Sequence, residues 1–119
     1  MKILLLPALV VLAFSALAQP RVVDGVLTDA KGMTLYVWDN DLTVPGKIQC
    51  VGACSLSWPP MLAGAGDKPS GDYSLMVRED GSKQWAYKDR PLYLWVNDSK
   101  PGDRTGDGFR GGTWHLVRP

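Results

Sequence analysis

Two stretches of the chain alternate aliphatic and aromatic side chains: Leu35-Tyr36-Val37-Trp38 and Leu92-Tyr93-Leu94-Trp95. A period of two is the signature of a β-strand, so Leu35 and Val37 share one face and Tyr36 and Trp38 the other. Leu92, Leu94 and Val96 oppose Tyr93 and Trp95 in the same way. Each stretch has an apparent partner upstream. Residues 22–28 lead through Asp29-Ala30-Lys31-Gly32 into the first, and residues 84–87 lead through Lys88-Asp89-Arg90 into the second. A further hairpin is predicted for residues 74–78 and 83–87 around Asp80-Gly81, a strong turn signal. Residues 113–117 read as a final strand. Only residues 51–58 suit a short helix, which Pro59-Pro60 would stop. The pattern predicts a mostly β fold of six or seven short antiparallel strands with at most one short helix.

The two alternating stretches are copies of one unit. Both read Leu-Tyr-aliphatic-Trp-x-Asn-Asp, ending at Asp41 and Asp98, with Tyr36 and Tyr93 at the same place in each. Each is followed by a Pro-Gly pair, Pro45-Gly46 or Pro101-Gly102, and then by a Trp, Trp58 or Trp114. Such coincidences in register define an internal repeat. Its copies span residues 22–60 and 74–119, and pseudo-twofold symmetry between them is expected.

The start of the chain changes the picture of where this domain works. Lys2 precedes an uncharged, mostly apolar run over residues 3–16, and Ala16-Leu17-Ala18 supplies a small-x-small cleavage site. This is the pattern of a secretory signal peptide over residues 1–18, cut between Ala18 and Gln19. No Cys lies at the cut to accept a lipid. Residues 19–119 are then expected to form a single domain, periplasmic or secreted, with no membrane span after removal of the leader.

Composition narrows the function more than it identifies it. The 119 residues carry 13 Lys+Arg against 12 Asp+Glu, so the basic face of a nucleic-acid binder is not expected. With 13 Gly and 9 Pro, turns are favoured over long helices. No nucleotide loop, nucleophile elbow or zinc motif is present. Cys50 and Cys54 are the only cysteines. In an oxidising compartment they suit a structural disulfide, and closing so short a ring contributes about 2 kcal/mol in the chain-entropy model. The same pair leaves open redox exchange or a copper site completed by His115, Met33, Met61 or Met76. A haem attachment motif is absent.

The combined motifs carry a family resemblance. Tyr-x-aromatic-x-x-Asp occurs twice, as Tyr36, Trp38, Asp41 and as Tyr93, Trp95, Asp98. Cys50-Val51-Gly52-Ala53-Cys54 running to Trp58-Pro59-Pro60 adds to it, with Gln84-Trp85-x-Tyr87, Pro101-Gly102-Asp103 and Trp114-His115. Together they resemble the bacterial secreted repeat family of predicted lipoproteins with a Tyr-x-(Phe/Trp/Tyr)-x-x-Asp motif. The resemblance covers nearly all of residues 19–119. It implies an exported, repeat-built protein whose biochemical function is undetermined, and it associates some relatives with alkane utilisation. This chain departs from lipid-anchored members in lacking a Cys at its cleavage site.

Four groups of side chains are candidates for function. Tyr36, Trp38, Trp85, Tyr87, Tyr93 and Trp95 fall at i, i+2 spacing on three predicted strands, so all six rings are expected on one side of a sheet. They form either a core or a stacking platform for a flat or hydrophobic small molecule. Asp41 and Asp98 lie just past the strands, where a carboxylate accepts backbone amides and fixes a loop; a paired-acid hydrolase is the sharper alternative. Asp98, Asp103 and Asp107 share a Gly-rich loop that reads as a turn-rich connection or as calcium ligands. His115 is expected to be a hydrogen-bonded structural imidazole. The sequence therefore predicts an exported, non-catalytic binding or envelope-associated module, with an unknown small molecule or envelope component as partner and no cofactor. Copper handling or redox chemistry through Cys50/Cys54 is the first alternative, and an accessory role in alkane utilisation the second.

Overall fold

A computed structural model describes residues Ile3, Pro7 and 19–119. The signal peptide assigned to residues 1–18 lies almost wholly outside the described residues. Seven short strands form three small antiparallel sheets: β1 (Arg21–Val23) with β2 (Val26–Thr28), β3 (Tyr36–Trp38) with β7 (Trp114–Leu116), and β4 (Tyr73–Val77), β5 (Lys83–Tyr87) and β6 (Arg90–Pro91) in that order. One five-residue helix, α1 (Ala53–Ser57), occupies the place predicted for it and ends ahead of Pro59. A second short segment, α2 (Phe109–Gly112), is also present, beyond the single helix expected. Arg110 and Gly111 have φ of 56° and 69° there, so α2 is a tight turn with helical hydrogen bonds, in a stretch too rich in glycine to carry helical periodicity.

The local chemistry of the turns fixes the strand ends. Residues 22–28, expected as one strand, are instead a hairpin. Asp24 and Gly25 both have positive φ (49° and 82°), the two-residue turn that the right-handed twist of a hairpin favours, and Val23 therefore faces Val26. The loop at Asp29 follows as expected, with its side chain accepting the Lys31 and Met33 amides, and Thr34 then bridges back to Thr28. The predicted hairpin around Asp80-Gly81 is present, with Val77 facing Lys83 and Tyr73 facing Tyr87.

Residues 92–96, expected as a strand, make no continuous ladder. The chain bonds in turn to three neighbouring segments: Leu92 N–H to Trp85 O (2.9 Å), Tyr93 N–H to Tyr36 O (2.9 Å), Leu94 N–H to Pro59 O (2.7 Å) and Val96 N–H to Ser57 O (3.0 Å). The alternation seen in the sequence is real, and it places side chains on two faces. Only the ladder is missing.

These two faces become two cores. Tyr36, Tyr93 and Trp95 pack with Val26, Cys50, Trp58, Trp114 and Leu116, and Trp38 leans on this cluster. Leu35, Val37 and Leu92 pack with Leu27, Met61, Trp85 and Val117 on the other side, where Leu94 and Tyr87 join them. The six rings expected together thus divide four and two. Trp85 and Tyr87 lie with the aliphatic residues because the β5–β6 turn holds two residues, Lys88 and Asp89, rather than three. Tyr87 therefore faces Arg90 and Ala86 faces Pro91. Shifting register by one residue exchanges the faces of a strand, which moves Trp85 to the side of Leu92.

The copies of the repeat are interleaved. Tyr36 and Tyr93 exchange both backbone hydrogen bonds (2.8 and 2.9 Å). β3 of the first copy pairs with β7 of the second, placing Tyr36 opposite Leu116, while Pro60 of the first copy bridges to Tyr93 of the second. Each copy completes the other's sheet.

An indole stack bounded by crossed tyrosine–aspartate pairs

The interleaving carries the repeat motif across the molecule. The Tyr36 hydroxyl donates to Asp98 Oδ2 at 2.6 Å, and the Tyr93 hydroxyl donates to Asp41 Oδ2 at 2.8 Å. Each tyrosine thus bonds the aspartate of the other copy, a connection that spacing within one copy could not reveal. Both carboxylates also hold their own loops. Asp41 sits in a 3-10 turn (Asp39–Leu42) and accepts the Gln49 amide at 2.7 Å. Asp98 accepts the Thr105 amide and hydroxyl at 3.0 and 2.6 Å. Every carboxylate oxygen of the two acids thus accepts a hydrogen bond from within the protein.

Burial sets the electrostatics of this arrangement. Tyr36 and Tyr93 are fully buried, and desolvation pushes both phenols well above their ordinary titration range, with the facing carboxylates of Asp98 and Asp41 adding to the shift. Desolvation also raises the Asp41 carboxyl, outweighing the Gln49 amide and Tyr93 hydroxyl that favour its charged form.

Against these pairs stands a stack of four of the five tryptophans. Trp38 lies parallel to Trp114 (centroids 5.0 Å, 3°), Trp114 to Trp58 (3.8 Å, 3°), and Trp58 to Trp95 (4.1 Å, 28°). Tyr36 meets Trp58 edge-on at 5.4 Å, and Tyr93 meets Trp114 edge-on at 5.2 Å. These are the geometries that aromatic quadrupoles prefer. Trp58 and Trp114, named in the sequence as repeat landmarks, form the centre of the stack. Gly106 allows it to close, because a Cβ there would lie 2.8 Å from Trp58 Cη2 and 3.0 Å from Trp95 Cγ.

The stack meets solvent chiefly at Trp38 and the neighbouring Phe109, its other three indoles being buried. A groove of about 530 Å³ is lined by Trp38, Trp58, Trp95 and Trp114, with Phe109, Ala53, Cys54, Ser57 and Arg110. Phe109 is 42% exposed and packs at 4.8 Å from Trp95. Phe109 and Arg110 were missing from the sequence-based candidates. They lie on a glycine-flanked turn with no alternating pattern, and only the fold brings them to the indoles.

Of the remaining candidates only Cys54 lines the groove. Cys50 and Cys54 are joined in a disulfide. Cys50 is buried beneath the stack and Cys54 packs at its edge. The copper reading needs thiolates, and here each sulfur is bonded to the other. Met61 belongs to the opposite core. His115 Nε2 lies 2.8 Å from Asp39 Oδ2, while Arg90 pairs with Asp39 Oδ1 at 3.2 Å; the hydrogen bond to His115 leads the causes that lower the Asp39 carboxyl. The three acids of the Gly-rich loop serve separate partners. Asp103 binds Lys100 and the Ser99 amide, and Asp107 accepts the Leu116 amide. Among the described residues, no group of three or more His, Cys, Asp or Glu is gathered as a metal site.

A family model described as a secreted repeat of unknown function matches the chain twice, over residues 22–61 and 74–118. The chain belongs to this secreted repeat family. No curated protein and no solved structure matches it. Among the described residues, no helix is long and apolar enough to cross a membrane.

Proposed function

We propose that this protein is an exported, non-catalytic binding module, and that its ligand is a small molecule with a flat or extended apolar body seated in the indole groove. The observation that carries the reading is the groove itself. Its volume falls in the range of small-molecule sites, and five of its nine lining residues are aromatic, with polar surface beside them. A tight core would have closed over Trp38 and Phe109. The Ser57 hydroxyl and the Arg110 guanidinium supply the polar contacts, so a ring bearing an anionic or hydroxyl group fits better than a bare hydrocarbon. Tyr36, Trp38, Tyr93 and Trp95 contribute to this site or its support, whereas Trp85 and Tyr87 belong to the opposite core. The bonded acids, Asp41 and Asp98, support a structural rather than a catalytic role for the motif. Export to the periplasm or beyond follows from the proposed leader at residues 1–18.

Intrinsic fluorescence reads the groove directly. Titration with aromatic carboxylates, sugars and long-chain alkanes is expected to quench or shift Trp emission for the first class. Ser57→Leu, which fills the groove from α1 without adding a chromophore, should abolish the response and leave the near-ultraviolet dichroism of the stack in place. Failure of all three classes to bind, together with emission that acrylamide cannot quench, would reject the reading.

A further inference from the structure

A second, smaller cavity lies against the core that holds Trp85, and two of its lining residues carry a buried polar atom without a partner. About 140 Å³ in volume, it is lined by Gln19, Gly66, Asp67, Lys68 and Trp85. Asp67 is only 9% exposed. Its Oδ2 accepts the Gly64 amide at 2.6 Å and closes its own loop, but Oδ1 is buried with no hydrogen-bond partner among the described residues. Trp85 is fully buried, and its Nε1–H is likewise without a partner. Leaving a buried donor or acceptor unpaired costs about 1–3 kcal/mol each. The cavity is thus lined by one residue with an unsatisfied carboxylate oxygen and one with an unsatisfied indole donor. It needs an occupant that can both donate and accept.

Gln19, which lines this cavity, is also the residue that the signal-peptide pattern leaves first after cleavage behind Ala18. Pro20 beside it is buried and fixes the direction of the chain. We propose that the cavity is the receptor for the mature amino terminus: the α-ammonium group freed at Gln19 donates to Asp67 Oδ1, and the Gln19 side-chain carbonyl accepts from Trp85 Nε1–H. Before cleavage, the nitrogen of Gln19 is an uncharged peptide amide with one hydrogen. Cleavage converts it to a cation, which pairs with the charge that the fold already holds there. Removing the leader therefore completes the fold, and the domain is most stable only in its processed form. Lys68 lines the same cavity and is the rival cation for Asp67.

The pairing also protects the terminus. A free amino-terminal glutamine cyclises when its α-amine attacks its own Cδ, forming a C–N bond and releasing the side-chain nitrogen as ammonia. An amine held as ammonium against Asp67, with its amide turned to Trp85, is kept from that attack.

The test uses the full-length chain exported through its own leader and purified after processing. Intact mass should show Gln19 as the first residue and uncyclised. Inserting Gly-Ser between Ala18 and Gln19 moves the new amine two residues away. This insertion and Asp67→Asn should each lower Tm by roughly 5 °C, as the loss of one buried charged hydrogen bond does in a domain of this size. Combined, they should lower it little further, while Lys68→Gln alone should leave it unchanged. In Asp67→Asn, loss of ammonia from Gln19 should proceed several-fold faster on storage. Cleavage at another bond, an unchanged Tm on insertion, additive losses, or a loss on Lys68→Gln equal to that of Asp67→Asn would each overturn the proposal. None of these outcomes depends on the indole groove, so the reading of that site stands or falls separately.

Discussion

At Tyr93 a single hydroxyl satisfies an oxygen of a carboxylate that burial already disfavours. Asp41 Oδ1 has the Gln49 amide, but Oδ2 has Tyr93. Tyr93→Phe keeps the ring against Trp114 and strands that oxygen, so the loss should reach about 1–3 kcal/mol in urea unfolding. Tyr87→Phe, a half-buried ring in the other core, should change stability by less than about 0.5 kcal/mol. Gly106 shows the opposite constraint, where an added atom rather than a missing one does the damage. Gly106→Ala must push Trp58 or Trp95 out of the stack. We expect about 1–3 kcal/mol of overpacking cost, with a weakened near-ultraviolet signal from the coupled indoles. An intact signal at full stability would show that the stack is looser than its 3.8 Å spacing implies.

Between neighbouring elements, turn length mattered more than strand pattern. The alternation of Leu35-Tyr36-Val37-Trp38 and of Leu92-Tyr93-Leu94-Trp95 was legible, and it assigned these side chains to the two faces they occupy. Trp85 and Tyr87 lie on the face opposite to the one their spacing predicts. Their own alternation holds, but the turn at Lys88-Asp89 has two residues where the sequence predicts three. Nothing in Lys-Asp-Arg advertises a turn in which Lys88 and Asp89 both take positive φ (48° and 65°). The Asp24-Gly25 turn carries an Asp-Gly signal, which the surrounding valines mask as continuous strand. The groove is less legible still, because its lining comes from β3, α1, α2 and β7 together with Trp58 and Trp95, which only tertiary packing brings together. The Lys88-Asp89 turn is also a place to gain stability. Glycine avoids the left-handed penalty that L-residues incur, so Asp89→Gly should raise stability by about 0.5–1 kcal/mol in denaturant titration, with the Ala86–Pro91 register unchanged.

Across the whole molecule, the two copies are held together by contacts that neither makes alone. The phenol of each is bonded by the acid of the other, and each lends backbone to the other's sheet. Proton linkage makes that dependence measurable. In the unfolded chain Tyr36 and Tyr93 titrate near 10.0, whereas burial and the opposing carboxylates raise both in the folded protein. A group whose folded pKa is raised contributes stability that is complete below its unfolded value and declines as pH rises above it. The copies should therefore separate cooperatively as pH climbs beyond 10, with no loss of stability from these phenols at neutral pH. Phenolate absorbance should report the same event. Tyr73 is expected to ionise while circular dichroism remains native, somewhat above its ordinary range because of burial. Tyr36 and Tyr93 should ionise only as the fold is lost. Tyr36→Phe with Tyr93→Phe should flatten the alkaline limb of the stability curve while lowering its plateau. Reversible ionisation of all four tyrosines ahead of unfolding would mean that the crossed pairs do not hold the repeats together.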